Sequence, residues 1–173
     1  MPSVAAVIDS QRLRAAVAQL DDVHIRSQCR DGQYAGGLHL AVMTGPFLNM
    51  ILTGLKTVES RFHRQRRAPL HVAEPGHVIV FRQSGKPATA AAVIGDAVYL
   101  DLHQVPIRSV RERWAHRIGC DDDEFWADRA DCRWASLLSL DAVYALPAQP
   151  LTKQDRRAWV HYPGIEFDAD VFR

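Results

Sequence analysis

Gly54-Leu55-Lys56-Thr57-Val58-Glu59-Ser60-Arg61 has the form G-x-K-x-x-E-x-R, and the residues on either side set out a helix, a tight turn and a strand. Upstream, Phe47, Met50 and Ile51, with Leu48 and Leu52, recur at spacings of three and four, which predicts a short, largely buried helix over 46–53. Pro46 suits its first position, because the ring fixes φ and no amide is lost there. Gly54 is the expected cap, since glycine enters the left-handed region without a Cβ penalty. A β-branched residue at Gly54 should therefore damage the fold more than loss of the Lys56 side chain. Downstream, Lys56 to Phe62 alternates as a strand, with Val58 and Phe62 toward the core and Thr57, Glu59 and Arg61 sharing the other face.

Working outward, Leu38 to Met43 reads as a buried strand interrupted only by His39. Glu74-Pro75-Gly76 is a turn into His77 to Phe81, and Ser84-Gly85 closes a hairpin onto Ala88 to Tyr99. Pro106 to Ile118 reads as a helix with Val110 and Trp114 on one face, and Asp121 to Arg129 as a short helix with an acidic start. Trp134 to Tyr144 and Arg157 to His161 are late strands, and Glu166 to Arg173 a tail. Near the N-terminus, Leu13, Val17 and Leu20 predict a helix over 9–20, capped by Asp9 or Ser10, and Ser27 to Gly37 has loop chemistry. Several strands broken by short helices, without regular alternation, indicate an α+β domain built on a small β-barrel. The expected organisation is an N-terminal helix and loop appendage over 1–37, a domain over 38–162 and a tail over 163–173.

The 173 residues are 47% hydrophobic and 24% charged, which excludes global disorder, a collagen-like repeat and a coiled coil. Twenty-one Lys and Arg against twenty Asp and Glu exclude a wholly basic nucleic-acid binder but allow a local basic face. No apolar run approaches a membrane span, and Met1 to Leu20 does not read as a signal peptide. Cys29, Cys120 and Cys132 form no metal-type pair and are expected as reduced thiols in a cytoplasmic protein.

The motif, with the helix before it and Pro75-Gly76-His77-Val78-Ile79-Val80-Phe81 after it, resembles the ASCH domain family. Glu124-Phe125-Trp126, Arg133-Trp134-Ala135 and Asp155-Arg156-Arg157-Ala158-Trp159 resemble a bacterial subgroup of it, so the likeness runs from about Leu38 to Val160. The resemblance implies a PUA-like small β-barrel with flanking short helices and a cleft beside the motif. It also implies RNA binding, with ribonuclease or N4-acetylcytidine amidohydrolase activity in some branches.

Lys56, Glu59 and Arg61 make an internally paired cluster with excess positive charge, suited to holding a phosphate while the carboxylate orients the cations or accepts a base amino group. A Lys–Glu contact at 4 Å gains about 4 kcal/mol at an effective dielectric near 20, a gain that desolvation can cancel. Arg64, Arg66 and Arg67, with His63, extend the basic character, and Trp126 is the tryptophan expected to border a pocket for base stacking. Arg108, Arg111, Arg113 and Arg117 read as a structural group neutralised by Asp121 to Glu124, and Arg156-Arg157 as either cleft contacts or salt-bridge partners.

The leading expectation is thus a module for RNA or another single-stranded nucleic acid. Two enzyme readings compete with it. In a ribonuclease, Lys56 would stabilise phosphorane charge and Glu59 would act as base or hold a metal. In the amidohydrolase branch a lysine activates a threonine three residues later; here that position is Glu59, and Thr57 would have to substitute. A protein-interaction module using the N-terminal or arginine-bearing helix is the remaining class. The chain lacks nucleotide-loop, dinucleotide, serine-elbow and H-E-x-x-H motifs. Its eight histidines are scattered along the sequence, so neither a zinc site nor a resident cofactor is expected. A divalent ion on substrate phosphates and Glu59 remains compatible with the pattern.

Overall fold

The computed structural model of the protein describes residues 3–152 and 157–165. Arg156 and the expected tail from Glu166 to Arg173 lie outside the described residues. In chain order the elements are α1 (Val4–Ala18), α2 (Val23–Ser27), β1 (Cys29–Arg30), β2 (Gln33–Tyr34), β3 (Leu38–Met43), α3 (Phe47–Leu52) and β4 (Val58–His63). They continue with β5 (Val78–Gln83), β6 (Ala88–Asp101), α4 (Ile107–Ile118), α5 (Asp123–Ala127), β7 (Trp134–Gln149) and β8 (Trp159–Tyr162).

Six strands form one curled sheet in the order β4-β7-β6-β5-β3-β8, a half-barrel of the α+β class the sequence predicts. Only β3 and β5 run parallel. The curl is carried by β6 and β7, whose pairing slips at Val93/Ile94 and Ile94/Asp96. Bulges of this kind bend a ribbon, so one end of β7 pairs with β4 while β6 also pairs with β5. β3 is buried on both faces, which is why its sequence is a continuous apolar run and not an alternation. One face packs Leu38 and Leu40 with Leu13, Val17 and Ile25 of α1 and α2, and the other packs Ala41 and Met43 with Phe81, Ile94, Leu138 and Trp159. A third cluster seats α4 and α5 through Val110, Trp114, Ile118 and Trp126 against Val58 and Leu137.

The N-terminal region differs from expectation. α1 begins at Val4, with the Ser3 hydroxyl accepting from the Ala6 amide at 3.2 Å, so Asp9 lies inside the helix and is not its cap. Asp9 is buried there because its carboxylate accepts from the Thr152 amide (2.8 Å) and hydroxyl (2.7 Å), a partner 143 residues away. α2 was not expected; Asp22 caps it through Ile25 N at 2.9 Å. Within the predicted loop, β1 and β2 form a minimal hairpin whose turn residues Asp31 and Gly32 have φ of 49° and 74°, as a two-residue turn matched to strand twist requires.

The arginines of α4 have local partners. Arg111 pairs with Asp121 (2.7 Å) and Asp123 (2.8 Å), Arg108 with Glu112 (3.5 Å), and Arg113 and Arg117 lie over the Trp114 ring. The three cysteines are free thiols. Among the described residues no helix is long and apolar enough to cross a membrane.

Candidate functional site

α3 ends at Thr53, and Gly54 follows at φ +78°, the left-handed turn expected of it. The reversal is closed by Lys56 N donating to Met50 O at 2.9 Å, and it drops the Lys56 side chain inward beside Gly119 at the end of α4. Lys56 is only 3% exposed, and its ammonium donates to Val58 O (2.8 Å) and Ile118 O (3.1 Å). Burial lowers its pKa and the Glu59 charge raises it in part.

Glu59 is 2% exposed. Its Oε1 accepts from Arg61 Nε at 2.7 Å. Its Oε2 is 3.4 Å from the Lys56 ammonium as an ion pair, but is too poorly aligned for a hydrogen bond and has no other partner. Arg61, 14% exposed, spans the gap between the sheet's two edges. From β4 it donates to Val42 O on β3 (3.1 Å) and Ala158 O beside β8 (3.4 Å), and its guanidinium lies 5.3 Å from the Trp159 ring centroid. A side chain thus joins edges that no backbone ladder joins, and the space left open beside it is a cleft.

That cleft encloses about 400 Å³, within the roughly 300–1,000 Å³ typical of ligand sites. Lys56, Glu59 and Arg61 line its floor, and Phe47, Phe62 and Phe125 stand round it as an aromatic wall. Arg129, also lining it, lies flat over Phe125 at 3.4 Å from the ring centroid and donates to Phe125 O at 2.5 Å. Burial lowers the Arg129 pKa. His63 contributes a second buried atom without a partner, Nε2. Its pKa is lowered by burial and then by the Arg61 and Arg67 charges. Counting Asp128, the lining holds three cations against two carboxylates.

The structure brings together Lys56, Glu59, Arg61 and His63 but not the other sequence-predicted residues. Thr57 precedes β4, donates its amide to Arg117 O at 2.9 Å, and exposes its side chain outside the cleft. It does not share the Glu59 face, because regular alternation starts only at Val58. Trp126 is buried in the α4–α5 cluster, its indole donating to Cys120 O at 3.1 Å, and does not line the cleft. Its neighbour Phe125 does. On a one-turn helix adjacent residues point about 100° apart, which sequence spacing alone did not resolve. Arg64, Arg66 and Arg67 are exposed beyond the lining: Arg64 pairs with Asp131 at 3.4 Å, Arg66 stacks on Trp134 at 4.5 Å, and Arg67 contacts Gln65. Sequence reasoning missed Arg129 and Phe125 as lining residues; the acidic start of α5 marked the helix but not the face it turns inward.

The histidines are not as scattered in space as in sequence. His39 on β3, His161 on β8 and His77, just before β5, meet at neighbouring strands, with one ring nitrogen from each lying within 4.8 Å of the other two.

No family model and no curated protein sequence matches the chain. Solved structures do. A tyrosine-to-phenylalanine variant of the ASCH protein from Zymomonas mobilis matches with a TM-score of 0.50 at 20% identity, covering 64% of this chain and 73% of that one. The unmutated ASCH protein from Zymomonas mobilis aligns over 62% of this chain and 69% of its own, at 18% identity and a TM-score of 0.49. The chain has the fold of an ASCH domain, a curled half-barrel sheet with short flanking helices.

Proposed function

We propose that the cleft binds single-stranded RNA, or a nucleotide within it, taking in one unstacked base against Glu59 while arginines track the phosphates. The observation that carries this reading is Glu59 Oε2, a buried carboxylate oxygen on the cleft floor that has the Lys56 ammonium 3.4 Å away but no aligned hydrogen bond. Such an atom costs several kcal/mol unless something donates to it. The exocyclic amino groups of cytosine and adenine, and the N1–H and amino group of guanine, are donors of the right kind; uracil has no amino group, and its single N3–H is flanked by two carbonyl oxygens that repel a carboxylate. Arg129 over Phe125 offers a stacking platform, and the exposed Arg64, Arg66 and Arg67 follow directly in sequence on His63, a lining residue. The ASCH fold adds support as an analogy only.

The hydrolase readings have less behind them. Thr57 is outside the cleft, and Lys56 spends two of its three hydrogens on carbonyls. Both facts weigh against lysine-activated threonine chemistry.

Salt titration of fluorescent oligonucleotides tests the proposal. Three or four neutralised phosphates give a log-affinity against log-salt slope of roughly −2 to −3 on a single strand. Arg66→Ala should flatten the slope by somewhat under one and weaken all sequences alike, since a phosphate contact carries no base information. Glu59→Gln should leave the slope unchanged and erase a preference of about 5- to 100-fold for amino-bearing bases over uracil, the range of one good base contact. A salt-independent affinity, or the same base preference in parent and Glu59→Gln, would defeat the proposal.

His63 adds a pH dependence. Burial and two arginines hold its pKa below 6.5 in the free protein, and an internal phosphodiester placed beside it would raise it. Binding then takes up a proton, so affinity should rise, by about a few-fold, as pH falls from 8 toward 6. In His63→Gln the rise should be absent.

A further inference from the structure

We propose that His39, His77 and His161 form a binding site for a zinc-class divalent ion that ties β8 to β3 and β5, away from the cleft. His39 and His161 are directly opposed on the antiparallel pair β3–β8, and His77 enters β5 beside them on the parallel pair β3–β5. His39 Nε2 and His77 Nδ1 are 3.1 Å apart. Two nitrogens bound to one tetrahedral zinc at 2.0–2.1 Å stand about 3.3 Å apart, so this pair is already at chelating separation. The third imidazole is the adjustable one. His161 is half-buried on the edge strand β8, stacked on His39 at 4.6 Å between centroids. Turning it out of that stack, by a nitrogen shift of up to about 1.5 Å, completes a three-histidine set with an open position.

The surroundings fit ligation. The three rings are buried or half-buried, and burial lowers the pKa of each, which favours the neutral form that can ligate. His77 Nδ1 accepts both from His39 and from the Glu74 amide (3.3 Å), which puts the His77 proton on Nε2, 3.8 Å from the Glu74 carboxylate. A ligating histidine whose other nitrogen faces a carboxylate is the usual second-layer arrangement of a metal site. Gly37 makes the room: a Cβ there would fall 2.4 Å from the His77 ring.

Two contacts oppose the ion: the long Glu74 amide bond uses the His77 Nδ1 lone pair that must ligate, and the stronger obstacle is at His39. The Trp159 indole donates to His39 Nδ1 at 3.2 Å, which places the His39 proton on Nε2, toward His77. An ion on Nε2 needs the other neutral tautomer, with the proton moved to Nδ1, where it meets the indole N–H and breaks that bond. The metal and the Trp159 hydrogen bond therefore compete, and Trp159→Phe should tighten binding.

The test uses the full chain freed of metal and any histidine tag, titrated with Co²⁺ for visible absorption and with Zn²⁺ for thermal stability. Parent protein should take up one equivalent, show the ligand-field bands of a four- or five-coordinate cobalt site, and melt higher with zinc. His161→Ala and His77→Gln should each weaken binding at least tenfold while keeping the metal-free melting temperature near that of parent. Gly37→Ala, which removes no ligand, should also weaken it. Trp159→Phe should bind several-fold more tightly; if that variant does not fold, a change in the parent's indole fluorescence on zinc binding, with no proton released from His39, reports the same competition, and unchanged indole fluorescence would overturn it. Equal binding by parent and His161→Ala would overturn the proposal, as would thiolate charge-transfer bands placing the ion on cysteine, or no uptake at all.

Discussion

Lys56→Ala is expected to destabilise the protein by about 3–5 kcal/mol, several times the effect of Gly54→Val. The substitution removes the counter-charge from Glu59 Oε2, which has no other partner, and withdraws the donor from Val58 O and Ile118 O. All of these groups are buried in the parent protein, so loss of the ammonium leaves each short of a partner. Gly54→Val meets a gentler penalty. Its φ of +78° strains any β-branched residue by roughly 1–2 kcal/mol, but a Cβ there would touch nothing within 4 Å. The order expected from sequence is thereby reversed, because alternation placed the motif's charges on an exposed face and the fold buries them. Denaturant unfolding of both variants decides it; equal midpoints would show that Lys56 is not a structural ion.

A third variant separates stability from function. Replacing Lys56 and Glu59 together by Met and Leu removes both buried charges, and such exchanges are often neutral or stabilising. Arg61 would keep Val42 O and Ala158 O. Stability within about 1 kcal/mol of parent, with oligonucleotide binding lost, would mean that the pair serves the cleft more than the fold.

How much of this was legible in the sequence depended on whether the deciding contact was local. The turn at Gly54, the strand Leu38–Met43 and the helix ending at Gly119 follow from propensity and spacing, and the structure has each of them. Lys56, Glu59 and Arg61 could be named as a cluster because three residues on one short segment must lie near one another. Their burial could not be read, because it is imposed by α4 and by the β3 and β8 edges, between about 20 and 100 residues away. The same holds for Arg129 on the cleft wall and for the three histidines, whose separations of 38 and 84 in sequence carry no ligand signature until β8 pairs with β3. α1 was misread for the opposite reason: Val4, Val7 and Ile8 are exposed apolar residues, so periodicity did not reach back to the true start.

Arg14 is the second position where a large effect is expected. Adjacent to Leu13 in an amphipathic pattern, it reads as a solvent-facing residue, yet it is 2% exposed. Its guanidinium donates to Tyr34 O and Gly36 O, each at 2.7 Å, to Tyr162 O at 3.1 Å and to Pro163 O, with Nε on Ser10 Oγ at 3.3 Å. One side chain thus joins α1, the end of the small hairpin and the last described strand. Burial lowers its pKa, but an arginine stays charged, so the charge is neutralised by carbonyl dipoles alone. Arg14→Met keeps the stem and removes five donors, leaving four carbonyls to find water in a closed site. At about 1–3 kcal/mol for each acceptor left buried, and some relaxation toward solvent, the expected loss is about 3–5 kcal/mol. Arg14→Lys should recover only part of it, because three hydrogens on a point charge cannot reach the four acceptors that a planar fork satisfies. Hydrogen exchange distinguishes a clasp from a bystander. If Arg14 holds the assembly, Arg14→Met should speed exchange of the β8 amides and those around Tyr34 before those of β6 and β7. Uniform acceleration across the sheet, or melting within a few degrees of parent, would show that the apolar contacts of Leu13 and Val17 dock α1 without it.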